Sequence, residues 1–202
     1  MSGATDVAAL QAAVLATARA MSAERLNRGA AGNVSVRHGD GFFITPTGMA
    51  YEACAPEDVG FVGLDGRCEG RRKPSSEWRF HRDIYAARPA AGAIVHAHAP
   101  FAVSLACMGR AVPPFHYMVA RFGGSDVRCA DYATFGSQAL SDAVVKALED
   151  RCACLMAHHG MLVTGRNLAQ ALDLAVELET LCEQYWRVLQ LGPAVLLPDD
   201  EM

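Results

Sequence analysis

Apolar positions Val7, Leu10, Val14, Leu15, Ala18, Met21 and Leu26 recur at helical spacing over residues 6 to 27 and predict an amphipathic first helix, with Gly29 placed to end it. The pattern then changes. Residues 33–37 and 42–45 flank His38-Gly-Asp-Gly41, which reads as a hairpin, and 60–64 reads as a further short strand before Asp65-Gly66. A helix is expected over 75–88, stopping ahead of Pro89. The apolar run from Ala91 to Val95 then closes on His96-Ala97-His98 and reads as a buried strand. Downstream come a short helix over 102–107 and a helix over 137–149 that Ser137 or Ser141 could cap. A strand pair over 153–158 and 161–164 follows. A long last helix begins at Asn167, with Leu168, Leu172, Ala175, Leu178, Cys182, Tyr185 and Leu189 on one face. Helices and strands interleave without repeat, low-complexity tract or linker. The expectation is a single α/β domain over 1–202, one sheet lying between helical layers.

Composition narrows the partners. About half the residues are apolar (51%), enough for a large core, and the net charge of -4 argues against nucleic acid or an anionic membrane as partner. No apolar run approaches the roughly 18 residues that would span a bilayer. The N-terminus lacks a basic stretch followed by an apolar one, and the seven cysteines form no C-x-x-C pair. A cytoplasmic location with free thiols is the expectation, with one of Cys152 and Cys154 read as a small core residue of the strand rather than a ligand. Arg71-Arg-Lys73 reads as a solvated connection.

The histidines carry the first chemical signal. Alternating residues of a strand share a face, so His96 and His98 point the same way and form half of a metal site. Burying two imidazoles on one strand for backbone partners alone would cost polar burial twice without return. His158-His159-Gly160 follows another apolar stretch, and alternation lets one of its two imidazoles face the same side. Three protein ligands with an open position is the pattern of a catalytic metal.

Glu77 opens the helix Ser75-Ser-Glu-Trp-Arg-Phe-His81. It reads either as a carboxylate favoured by the helix dipole or as a metal ligand and proton acceptor. Ser75 and Ser76 read either as caps or, with the unpaired N–H groups of a helix start, as an anion cradle. Ala31-Gly-Asn33 and Thr45-Pro-Thr-Gly48 add glycine turns with polar tips. His81 lies four residues after Glu77 on one helix face, suited to packing or to supporting a ligand. Nothing local gives His38 or His116 a task.

Laid out in order, Ala31-Gly-Asn-Val-Ser-Val-Arg37, Ile44-Thr-Pro-Thr-Gly48, Pro74-Ser-Ser-Glu-Trp-Arg-Phe-His81, Val95-His-Ala-His98, His116-Tyr-Met118, Tyr132-Ala-Thr-Phe-Gly136 and His158-His-Gly160 resemble the class II aldolase/adducin superfamily. The likeness covers about residues 6 to 190 and is strongest to its fuculose-phosphate aldolase branch. It implies a three-layer α/β/α sandwich with a central, mainly antiparallel sheet. It implies a zinc ion, with manganese or cobalt as alternatives, on His96, His98 and His159, with Glu77 both resting ligand and acid/base. Phosphate binding is implied for Asn33, Thr47, Gly48, Ser75 and Ser76, and proton donation across a subunit boundary for Tyr117. The implied assembly is a C4 homotetramer with sites between subunits.

The implied reaction is metal-dependent aldol cleavage of a phosphorylated sugar. Its substrate would be a ketose 1-phosphate such as fuculose 1-phosphate or a 5-deoxy or methylthio analogue, cut through an enediolate to dihydroxyacetone phosphate and an aldehyde. The chain's two lysines, Lys73 and Lys146, lie outside any apolar run, so a Schiff-base route is not expected. A 4-epimerase, dehydratase or decarboxylase of the same fold, and a non-catalytic adducin-like domain, are the alternatives. The fuculose-phosphate enzyme has a tail tyrosine after its last helix with no counterpart here, so a different aldehyde preference is expected.

Overall fold

The computed structural model describes the backbone from Ser2 to Met202 and side chains from Asp6 onward. Among these residues eight strands form one sheet: β1 (Asn33–His38), β2 (Gly41–Ile44), β3 (Gly60–Gly63), β4 (Cys68–Glu69), β5 (Ala93–Ala97), β6 (Cys129–Ala130), β7 (Ala153–Met156) and β8 (Gly160–Gly165). The order across the sheet is β4-β3-β2-β1-β5-β8-β7-β6, antiparallel throughout except for the β6–β7 edge pair. Five α-helices cover it: α1 (Ser2–Ala23), α2 (Trp78–Ala87), α3 (Pro100–Cys107), α4 (Gln138–Ala147) and α5 (Leu168–Leu191). The mainly antiparallel α/β sandwich expected from the sequence is the observed architecture.

Two apolar clusters separate the layers. Val34, Val36, Ala93, Val95 and Ala97 pack with α1, α3 and α5, whereas Phe42, Ile44, Ile94, Met156 and Leu162 pack with α2 and α4. Strand alternation sends odd and even residues to opposite clusters, as a two-sided buried sheet requires.

Some boundaries differ from expectation. The first helix ends at Ala23, because Arg25 adopts a left-handed φ of 62° and Leu26 N–H turns back to the Met21 carbonyl at 2.9 Å. Leu26 stays buried after the turn, which is why periodicity carried the helix too far. The second helix begins at Trp78 with Glu77 as its N-cap residue, so Ser75 and Ser76 precede it. Ser137 and Asn167 do cap α4 and α5 through their side chains. The Arg71–Lys73 connection is exposed, as expected, but two of its guanidinium groups are also paired. Asp58, itself buried, holds the Arg71 Nη2 at 3.0 Å and the Arg72 Nε at 3.1 Å.

Candidate metal centre and anion cradle

Antiparallel register places Asn33 on β1 directly across from His96 on β5, and Ser35 across from Ile94, so Asn33, Ser35 and His96 share the face beneath α2. His98 follows β5 by one residue and keeps the alternation. Its backbone N–H is held at 2.8 Å by the side chain of buried Asn27. His159 ends the turn between β7 and β8. His158 before it takes a left-handed φ of 56°, which turns that side chain away from its neighbour's direction. Gly160 is required by proximity: a Cβ there would stand 2.4 Å from the Ala97 carbonyl oxygen.

Four ligand atoms, one each from Glu77, His96, His98 and His159, lie within 4.8 Å of one another. His96 Nε2 is 3.1 Å from His98 Nε2 and 3.2 Å from Glu77 Oε2, and His159 Nε2 is 3.1 Å from Glu77 Oε1. Ligand atoms around a tetrahedral ion with ~2.0–2.1 Å bonds stand roughly 3.3–3.4 Å apart, so these spacings suit one ion. His96 Nδ1 lies 2.9 Å from the Met161 carbonyl oxygen and donates to it. The lone pair of its Nε2 therefore faces its neighbours.

Electrostatics point the same way. Burial raises the Glu77 carboxyl, but His96 and His159 outweigh that and hold it well below the ordinary range. Burial, then His96 and His159, push the His98 imidazole down to about 4, leaving it neutral with a free lone pair. Glu77 Oε1 is buried without a well-directed hydrogen bond. Three imidazole nitrogens and two carboxylate oxygens are thus gathered where a single cation could join them. The donor set fits a divalent metal ion.

Glu77, His98 and His159 line a cavity of about 320 Å³ together with Asn33, Thr47, Gly48, Ser75 and Ser76. The anion-cradle candidates and three of the four metal-ligand candidates thus line one cavity, with His96 buried behind it. Tyr117 does not line that cavity. It opens a 3-10 helix over Tyr117–Phe122 and is 65% exposed. Sequence reasoning gave no task to Tyr132, Phe135 and His158, which complete the cavity rim; Tyr132 meets the His158 ring edge-on with centroids 5.8 Å apart. It also passed over Asn27, whose role appears only once α1 has turned back beneath His98.

Comparison with known proteins agrees with the fold and the family resemblance. The family model for the class II aldolase and adducin N-terminal domain matches residues 12–186. The chain is 54% identical over 194 residues to the 5-methylthioribulose-1-phosphate/5-deoxyribulose-1-phosphate aldolase of Rhodospirillum rubrum, covering 96% of this chain and 88% of that one. It is 43% identical to the L-fuculose phosphate aldolase of Escherichia coli, covering 94% and 88% of the two chains. A solved L-fuculose 1-phosphate aldolase superposes with a TM-score of 0.92 at 35% identity, covering 95% of this chain and 92% of its own. By family model, by identity over nearly its whole length and by fold, the chain belongs to the class II aldolase and adducin family.

Proposed function

We propose that this chain is a zinc-dependent aldolase that splits a ketose 1-phosphate into dihydroxyacetone phosphate and an aldehyde. The observation that carries the reading is the convergence of Glu77, His96, His98 and His159, three of which (Glu77, His98 and His159) line a cavity with Ser75, Ser76 and Thr47. Three imidazoles and a carboxylate suit zinc. When bound, the ion supplies positive charge beside the substrate carbonyl, where electrons gather as the bond between C3 and C4 breaks.

The remaining tasks fall to the chain's own groups. Thr47, Gly48, Ser75 and Ser76 grip the phosphate with hydroxyl and backbone donors, and Asn33 lines the same cavity, so the cradle needs no basic side chain. The proton on O4 leaves as the C3–C4 bond breaks and the aldehyde forms. Glu77, ionised at rest, takes up one proton from solvent and delivers it to C3 to complete dihydroxyacetone phosphate, matching the proton that O4 gives up. Tyr117, exposed on its own subunit, serves the O4 proton in the site of a neighbouring copy, within a four-fold homotetramer. The apolar faces of Tyr132 and Phe135 at the rim receive the tail of the sugar. A short deoxy or methylthio tail suits them, in keeping with the names of the relatives. The seven free cysteines suit a reducing cytoplasm.

The test is release of dihydroxyacetone phosphate from a panel of ketose 1-phosphates by zinc-loaded protein. Cleavage of at least one, abolished by a chelator and restored by zinc, is expected. Isomerised or dehydrated product with no dihydroxyacetone phosphate would instead assign the site to an epimerase or dehydratase.

A further inference from the structure

Behind the metal-ligand candidates runs a buried chain of polar side chains, of which His81, Ser35 and Tyr85 have no part in the reaction above. Asn33 Nδ2 lies 3.0 Å from Glu77 Oε2 and 3.0 Å from Ser75 Oγ. Its Oδ1 lies 2.5 Å from His81 Nε2. Ser35 Oγ lies 2.7 Å from His81 Nδ1 and 2.8 Å from Tyr85 Oη. All of these residues are buried, and Ser35 and His81 have no exposed surface.

The direction of every hydrogen in the chain follows from one end. The Asn33 amide nitrogen faces Glu77 and Ser75 and donates to both. The Asn33 oxygen must then face His81, so His81 Nε2 carries the hydrogen and donates. His81 Nδ1 therefore accepts from the Ser35 hydroxyl, and Ser35 in turn accepts from Tyr85. Burial holds His81 down to about 3, so it stays neutral with one fixed tautomer. At the near end, Ser75 Oγ accepts from Asn33 and, at 3.3 Å, from the Glu77 backbone N–H. Both acceptor positions are filled, and its own hydrogen is left to point at the cavity.

The register of two elements makes this possible. Glu77, His81 and Tyr85 form one helical stripe with a step of four residues, while Asn33 and Ser35 form a strand stripe with a step of two. Four helical residues advance ~6 Å and two strand residues ~6.6 Å, so the stripes stay in step. Arg37, next on the β1 stripe, locks the far end by donating to the Tyr85 carbonyl at 2.7 Å and the Arg88 carbonyl at 3.0 Å.

We propose that His81 is a positioning residue: backed by Ser35 and Tyr85, it fixes the Asn33 carboxamide so that one N–H2 group serves Glu77 and Ser75 together. The proposal rests on the reading of Ser75 as a phosphate holder: with both amide hydrogens on Glu77 and Ser75, Asn33 acts on the phosphate through Ser75. It ties the anion cradle to the proton-carrying carboxylate through a single side chain.

The experiment compares His81→Phe, which keeps a ring without nitrogen, with His81→Gln, which restores a donor near Nε2. Inorganic phosphate binding is measured by calorimetry on zinc-loaded protein, and the Asn33 side-chain amide is followed by NMR. In His81→Phe, phosphate affinity is expected to fall about tenfold and the Asn33 resonances to move, with zinc content retained. In His81→Gln most of the affinity is expected to return. Phosphate affinity within twofold of wild type in His81→Phe, with the Asn33 resonances unmoved, overturns the proposal. Equal loss in both variants at unchanged melting temperature overturns it too. Should His81→Phe fail to fold, Ser35→Ala decides: moved Asn33 resonances support the role, unmoved ones overturn it. None of these readouts needs a sugar substrate, so a wild-type protein without aldol cleavage would sink the activity and leave this result standing.

Discussion

Along β1 and β5 successive residues enter two different surroundings. Val34, Val36, Ala93, Val95 and Ala97 lie under α1, α3 and α5 among apolar neighbours. Asn33, Ser35 and His96, one residue away on the same strands, lie under α2 with His81, Tyr85 and Glu77. The apolar face gains from burial at roughly 25 cal/mol per Å² and tolerates imperfect partners. The polar face gains little from burial and depends on complete pairing, since an unsatisfied buried polar group costs about 1–3 kcal/mol. One side of the sheet therefore supplies rigidity, and the other spends it on a site whose members cannot be changed singly.

The largest effect is expected from removing a ligand on the polar face. His96→Ala should drop metal content from about one ion per chain to near zero and abolish turnover, read by elemental analysis and the cleavage assay. Full metal occupancy in that variant would mean that the ion sits elsewhere. Next comes Glu77→Gln, which keeps shape but cannot carry the proton. Turnover should fall about 10²–10⁴-fold with fold and bound metal retained. Activity within a few-fold of wild type would remove Glu77 from the proton step.

The contrast is sharpened on the other face by Leu155→Ala in β7, where Leu155 is fully buried in the apolar cluster. The cost should be about 2–5 kcal/mol of stability, a fall in melting temperature of roughly 4–20 °C, with kcat unchanged while the protein stays folded. A large change in kcat at low temperature would show that the two faces are not independent.

What could be read from the chain divides along the same line. A glycine-turn hairpin signal marked β1 and β2, an apolar run marked β5, and a strand rule alone put His96 and His98 on one side. Motif order supplied His159, Glu77 and the cradle residues. Edge strands β4 and β6 escaped, because two residues carry no period. The pairing of Arg71 and Arg72 with Asp58 escaped because it joins segments 13 and 14 residues apart across a loop. The chain from Tyr85 to Asn33 was hidden for a deeper reason. Its partners lie 42 to 50 residues apart, and their meeting depends on how α2 lies across β1, which no local spacing encodes. His81 was legible as a neighbour of Glu77 but not as the donor that orients Asn33.

The smallest effect separates the faces by acid rather than by truncation. His81 ordinarily titrates near 6.5, but in the fold burial lowers it to about 3. Between those values the unfolded chain holds a proton on this imidazole that the native state refuses, so the unfolded state gains as pH falls. The stabilising contribution is complete above about pH 6.5 and is lost progressively on acidification toward pH 3, at about 1.4 kcal/mol per pH unit at most. Denaturant titrations of wild type and His81→Gln from pH 7 to pH 4.5 isolate the term, since glutamine takes no proton. The wild-type curve should fall more steeply, and the gap between the two should close as the pH drops. Leu155→Ala should run parallel to wild type over the same range, because the apolar face has no proton to refuse. Parallel curves for wild type and His81→Gln would mean that the imidazole charges within the fold, and the one-way hydrogen-bond chain behind Asn33 would no longer hold.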